Sequence, residues 1–155
     1  MDTREKISFK NLLKQHCQSL IEGRIQSAIK GMDNAQEAAN NEEKSSAGDK
    51  YETSRAMGHL ERDLHARQLA ENRKELASLN TIDTHILYER IGAGAYFETA
   101  AAAFFIAAGL GRQNMAEKWI YFLSPGAPLA KAVEGKSVGD LFLFMGKQTS
   151  ITSVY

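Results

Sequence analysis

No proline interrupts the first 80 residues of this 155-residue chain. Across that span apolar side chains recur at helical spacing among charged residues and glutamines, and this pattern limits what the segment can fold into. Ile21, Ile25, Ala28, Met32, Ala35 and Ala39 step alternately by four and three, the spacing of a coiled-coil seam. Ile29 widens that stripe. In a second run Met57, Leu60 and Leu64 step by three and four, and Leu69, Leu76 and Leu79 follow in a shifted phase. Neither run can bury its stripe alone. The spacing predicts two helices folded back on each other as an antiparallel hairpin, with Arg55, Glu61, Arg62 and Arg67 on the outer face. A helix of about 35 residues is roughly 50 Å long. Residues 1–80 therefore read as a projecting rod with an acidic tip near 42–52.

After "LNTID" at 79–83 the pattern changes. Residues 84–155 hold both prolines, most glycines and most aromatics. β-branched and aromatic runs bounded by Gly, Asn or Pro predict strands near 85–91, 94–99, 103–109, 118–123, 140–145 and 148–154. "PLAKAVEG" predicts one short helix, with Pro128 in its first turn and Gly135 just past its end. The expected class is α+β: a coiled-coil hairpin over 1–80, then an antiparallel sheet with one helix over 81–155. Some 70 residues make a marginal core, so packing against the base of the hairpin is expected. The run Ala100–Ala103 falls where a hairpin turn is needed, although alanine suits neither strand nor turn.

Charge narrows the function. Acids and bases balance at 19 each, 13 of each sign before residue 80 and 6 of each after it. Bulk charge therefore announces no nucleic-acid-binding domain, and such a role must rest on local patches or on a protein partner. The single cysteine, Cys17, excludes an internal disulfide, fits a reducing compartment and reads as a packing residue. The charged N-terminus is not a secretory signal. No stretch approaches the roughly 20 apolar residues of a membrane span, so a cytoplasmic protein is expected.

Chemistry concentrates in "SSAGDKYETSRAM" at 45–57. Asp49 and Glu52, three apart, form a capping box if Asp49 starts the second helix. They form a divalent-cation site if both carboxylates point outward with water and substrate completing the shell. Glu42 and Glu43 make the region locally negative; a bound metal would reverse that sign. His16, His59, His65 and His85 are scattered at spacings poor for joint ligation. "GAGAYF" lacks the third glycine and following helix of a dinucleotide fingerprint. No nucleophile elbow or phosphate loop is present.

"FLSPGAPLAKAVEGKSVGDLFLF" carries Ser124, Pro125, Pro128, Gly135, Lys136, Gly139 and Asp140, in an order and spacing that resemble the C-terminal domain of the GreA/GreB family of bacterial transcript cleavage factors. Gly48-Asp49-Lys50-Tyr51-Glu52 is similar to that family's tip motif, so the resemblance covers nearly the whole chain. It implies an FKBP-like C-terminal domain. It also implies a monomer that binds RNA polymerase, passes its coiled coil through the secondary channel and stimulates cleavage of the backtracked RNA 3′ end. Asp49 and Glu52 would help hold a second Mg2+ in the polymerase's own site, only in the complex. Arg55 and Arg62 would approach RNA phosphate. Ser124, Pro125, Pro128, Gly139 and Asp140 would dock on the channel rim. The chain would be a cofactor, not itself an enzyme. The same architecture also serves regulators that occupy the channel without cleavage. An FKBP-like prolyl isomerase and a plain coiled-coil adaptor are the other classes; the first lacks a clear aromatic prolyl pocket in the sequence.

Overall fold

The computed structural model describes residues 1–42 and 48–155, with side chains described outside residues 42–51. The chain forms two compact units, residues 19–77 and residues 1–18 with 78–155.

Residues 19–77 are a helical hairpin drawn from α1 (Thr3–Glu42) and α2 (Gly48–Asn80). A Cβ added to Gly31 would stand 2.6 Å from the His65 ring, and one added to Gly58 would stand 3.3 Å from Ala39 Cβ. Moving eight residues up α1 thus corresponds to moving seven back along α2, which is antiparallel pairing. On α1 the expected seam is the buried face: Ile21, Ala28, Ala35 and Ala39 are buried, and Ile25 and Met32 are half-buried.

On α2 the expected stripe is overturned. Met57, Leu60 and Leu64 are 63%, 67% and 53% exposed. The face turned to α1 carries Gly58, His65 and Asn72, one heptad apart, with Leu69 and Leu76 half-buried beside them. The physical reason is steric. Alanines on α1 bring the backbones close, and a close approach selects small partners such as Gly58 over large apolar ones.

The other unit is built on one six-stranded sheet of order β3-β4-β2-β1-β6-β5. Its strands are β1 (Tyr96–Thr99), β2 (Ala103–Ile106), β3 (Gly111–Met115), β4 (Lys118–Leu123), β5 (Leu141–Phe144) and β6 (Lys147–Val154), with α3 (Pro128–Val133) between β4 and β5. The sheet is mixed, not antiparallel throughout: β2 and β4 run parallel, with Phe104 opposite Tyr121 and Ile106 opposite Leu123. The segment 107–110 makes this possible. It crosses the end of β4, where Ala107 N donates to Leu123 O and Leu110 N to Phe122 O. Ala107, Ala108 and Leu110 are buried in that crossing, so the strand expected over 103–109 ends at Ile106. β3, which the sequence reading missed, then lies at the edge beyond β4.

Alternation of side chains gives the sheet two apolar faces. One carries Phe97, Phe104, Ile106, Phe142 and Ile151, packed with Ala130 and Val133 of α3. The other meets the first turns of α1: Phe9 stands edge-on to Tyr96 at 5.2 Å between ring centres, and His16 lies 5.9 Å from Phe122. Phe9, Leu13 and Cys17, four apart, form the buried stripe of that helix segment. Burial, reinforced by Glu98, pushes the Tyr96 hydroxyl far above its ordinary range.

The segment 85–91 is not a strand. α1 takes a carbonyl within it and one just before it: Lys10 Nζ donates to Ile86 O at 2.8 Å and Lys14 Nζ to Ile82 O at 2.7 Å. Thr84 adds a hydrogen bond to Asn11. These three α1 residues hold the connector as an irregular strap. The Lys10 ammonium also sits 4.7 Å from the centre of the Tyr88 ring.

The alanine run does form the β1–β2 turn, because Thr99 supplies what alanine lacks. The backbone N–H groups of Ala101 and Ala102 donate to Thr99 Oγ1 at 3.2 and 3.1 Å, and Thr99 N donates to Ala102 O at 2.8 Å. The β3–β4 turn is less comfortable: Ala116 and Glu117 have φ of 49° and 62°, the left-handed conformations that two-residue hairpin turns demand and that Asn-Gly meets best.

Two outcomes follow from these contacts. Glu117→Gly is expected to stabilise the fold by about 1 kcal/mol, read as a raised urea midpoint at unchanged slope. Burial pulls the fully buried Lys10 down to about 8, against a weaker opposing pull from Asp83. Below that pH both folded and unfolded chains carry the proton and the burial penalty is present in full. Between about 8 and the ordinary 10.5 the unfolded chain binds a proton that the folded chain lacks, so Lys10 makes stability rise with pH. Urea midpoints at pH 7.5 and 9.5 should show that rise in the wild type and its loss in Lys10→Met.

Candidate functional site

The acidic pair lies at the start of α2. That helix begins at Gly48, so the Asp49 backbone is already helical and Glu52 follows one turn later. Residues three apart on a helix are neighbours on one face, and carboxylates there suit the positive end of the helix. Glu52 is exposed. The Asp49 side chain, like those of Glu42, Glu43, Lys50 and Tyr51, lies outside the described residues, and with it both pairings of Asp49 with Glu52, as cap and as metal site.

Arg55 and Arg62 are both exposed and seven residues apart, hence on one face of α2. Met57, Leu60 and Leu64 run beside them as an apolar stripe in water. The sequence displayed that stripe clearly but assigned it to the seam.

The expected docking residues occupy two turns of the sheet unit. Ser124, Pro125 and Pro128 bracket the β4–α3 turn, closed by Ala127 N donating to Ser124 O at 3.0 Å. Pro125 and Pro128 are exposed. Gly139 and Asp140 form the turn into β5 and are exposed. Gly139 has φ of 92°, a conformation that favours glycine. Its N–H donates to Ile151 O, while Asp140 Oδ2 accepts from Ser137 N at 2.8 Å. Asp140 is thus a turn-closing residue whatever else it meets.

One cluster had no signal in the sequence, because apart from the Tyr96–Glu98 pair within β1 its members meet across strands. Tyr96 Oη and Lys118 Nζ both donate to Glu98 Oε1, the second at 3.1 Å. Arg112 stacks 4.3 Å above the half-exposed Trp119 ring. Glu98, Lys118 and Trp119 border a shallow cavity of about 290 Å³ along Ala100–Ala103.

The histidines stay apart. His65 Nδ1 is 3.2 Å from Gln68 Oε1, and His85 Nδ1 is 3.2 Å from Asp83 Oδ1. The His85 backbone N–H holds the Asp83 carboxyl below its usual range. Among the described residues no three His, Cys, Asp or Glu side chains gather as a metal site. Nor is any described helix long and apolar enough to cross a membrane.

Asp140→Ala is expected to lower stability by about 1 kcal/mol through loss of the turn hydrogen bond. Asp140→Asn, which keeps an acceptor, should lower it less. Thermal melts of both variants separate this structural part from any effect on partner binding.

No protein-family model matches the chain, and none of the curated proteins matches it significantly.

Proposed function

We propose that this chain is an RNA polymerase-binding elongation factor of the GreA/GreB type, with its helical hairpin acting inside the secondary channel and its C-terminal domain, FKBP-like in this reading, docking outside. The observation that carries the reading is the position of Gly48–Glu52. The motif opens the second helix of a helical hairpin, and that helix is followed in the chain by a mixed sheet with one short helix. Ser124, Pro125, Gly139 and Asp140 lie on its turns, and Pro128 opens α3.

The donor set fits magnesium in kind: carboxylate oxygens are hard ligands, and Mg2+ is commonly held by one or two carboxylates with waters retained. In the complex, such an ion would supply Lewis-acid activation of the attacking water. This chain's own contribution is narrower. Glu52 presents an exposed carboxylate as ligand or as acceptor for a water proton, and Asp49 adds a second negative charge one turn away. Arg55 and Arg62 offer cations to RNA phosphate from the same helix. A chain contributing only these groups is inert alone and active only with polymerase.

The test is an RNA polymerase elongation complex, stalled and backtracked, with Mg2+ at pH 7. Added wild-type protein should shorten the RNA from its 3′ end. Asp49→Ala and Glu52→Ala should each slow that shortening by about 10- to 100-fold while still binding polymerase. Cleavage that neither variant nor wild type alters, with binding intact, identifies a channel-occupying regulator instead.

A further inference from the structure

The run Ala100–Ala103 borders a shallow cavity of about 290 Å³ together with Glu98, Thr99, Lys118 and Trp119. Strand order explains how these residues meet. β4 lies beside β2, and β2 lies beside β1. The alanine run leads into β2, so it stands between Lys118 and Trp119 of β4 and Glu98 of β1. Lys118 Nζ reaches over it to Glu98 Oε1 at 3.1 Å. The methyl side chains leave this space open, and larger ones would crowd it. That gives a use to a run which suits neither strand nor turn.

The lining combines an aromatic ring with a polar pair. Trp119, the single tryptophan of the chain, is 52% exposed. Arg112 comes from β3, on the side of β4 away from the alanines, and its guanidinium lies 4.3 Å from the ring centre. It steadies the indole and sets a cation beside it. Glu98 Oε1 accepts from both Tyr96 Oη and Lys118 Nζ. Glu98 Oε2 has no hydrogen bond among the described residues, and the Lys118 ammonium has further N–H donors to give. Such a pair suits neither a lone anion nor a lone cation, since one member repels what the other attracts. It suits a neutral group that carries a donor and an acceptor side by side.

We infer that this cavity binds a nucleobase, with an aminopurine nucleotide as the ligand that fits it best. The face of the base stacks on Trp119. Its edge meets the polar pair: the exocyclic amine of adenine donates to Glu98 Oε2, and the neighbouring ring nitrogen accepts from Lys118. The attached phosphate brings negative charge toward Arg112. The cavity lies at the small end of ligand pockets, which begin at about 300 Å³, so it takes one ring system. Lys118 is the one cation among the described lining residues, so no track for a long phosphate backbone leads from it. The unit recognised is therefore a single nucleotide, free or within a single strand. The site lies wholly in the sheet unit and stands apart from the polymerase reading.

Tryptophan emission of the full chain reports on the site directly, because Trp119 has no other tryptophan to mask it. Titration with AMP should quench that emission to saturation, and inorganic phosphate alone should leave it unchanged. Purine riboside monophosphate, which lacks the exocyclic amine, should bind about 10-fold more weakly. Lys118→Met, and Glu98→Gln, which keeps an acceptor for Tyr96, should each weaken AMP binding by about 10-fold. Ala101→Leu should abolish the quenching by filling the cavity, with an unchanged melting temperature because residue 101 is exposed. A single-stranded oligoadenylate that binds no more tightly than AMP assigns the site to free nucleotides, and one that binds more tightly assigns it to a strand. Emission that AMP leaves unchanged, or quenches without saturation, overturns the proposal. So does equal binding of the nucleotide without the amine, or binding that survives both Lys118→Met and Ala101→Leu.

Discussion

A sheet that is apolar on both faces must be covered on both, and this requirement organises the sheet unit. The α3 helix covers one face through Ala130 and Val133. It is only six residues long, and the other face is left to the start of α1. Phe9, Leu13 and Cys17 supply the cover. The same helical segment then fixes the connector through Lys10, Asn11 and Lys14. The first 18 residues therefore belong to the compact unit formed by the end of the chain. Placing a lysine ammonium in that interior costs desolvation. It is tolerated because the ammonium has a carbonyl to donate to and an aromatic face to lie against.

Much of this was legible in the sequence, and the misreadings share a cause. The α1 seam was visible because Ile21 to Ala39 keep heptad spacing and the buried face follows it. The short helix was visible because Pro128 and Gly135 punctuate it at both ends. The α2 seam was hidden because hydrophobicity is a poor guide where backbones come close. Gly58 and His65 carry the contact, while Met57, Leu60 and Leu64 face water. β3 was hidden because an edge strand of Arg, Gln and Asn has no apolar alternation. The segment 85–91 looked like a strand from its isoleucines, but the Lys10 side chain, 76 residues earlier in the chain, claims the Ile86 carbonyl. Local pattern cannot report a partner that far away.

The candidate site divides in the same way. The Gly48–Glu52 motif and the two turns of the sheet unit are short-range features, and the sequence displayed them as residue strings. The Thr99 clamp over Ala100–Ala103 is equally local, but only hydrogen-bond geometry shows that a threonine can make a turn of alanines. The group formed by Glu98, Lys118, Arg112 and Trp119 depends on strand register, which no single stretch of sequence contains. Asp140 shows how the two kinds of information combine. Its place in the string suggested a docking role, and its hydrogen bond to Ser137 adds a structural duty.

The four-residue crossing at 107–110 also decides which strand bears the sheet's exposed edge. β4 lies between β2 and β3, although β3 comes first in the chain. β3 has β4 as its one neighbour in the sheet, so the polar edge strand is held by a single ladder and by the turn that closes it. That turn passes through the left-handed Ala116 and Glu117, which sets an uncomfortable backbone at the margin of the sheet, where opening disturbs one ladder and leaves the parallel β2–β4 pair closed.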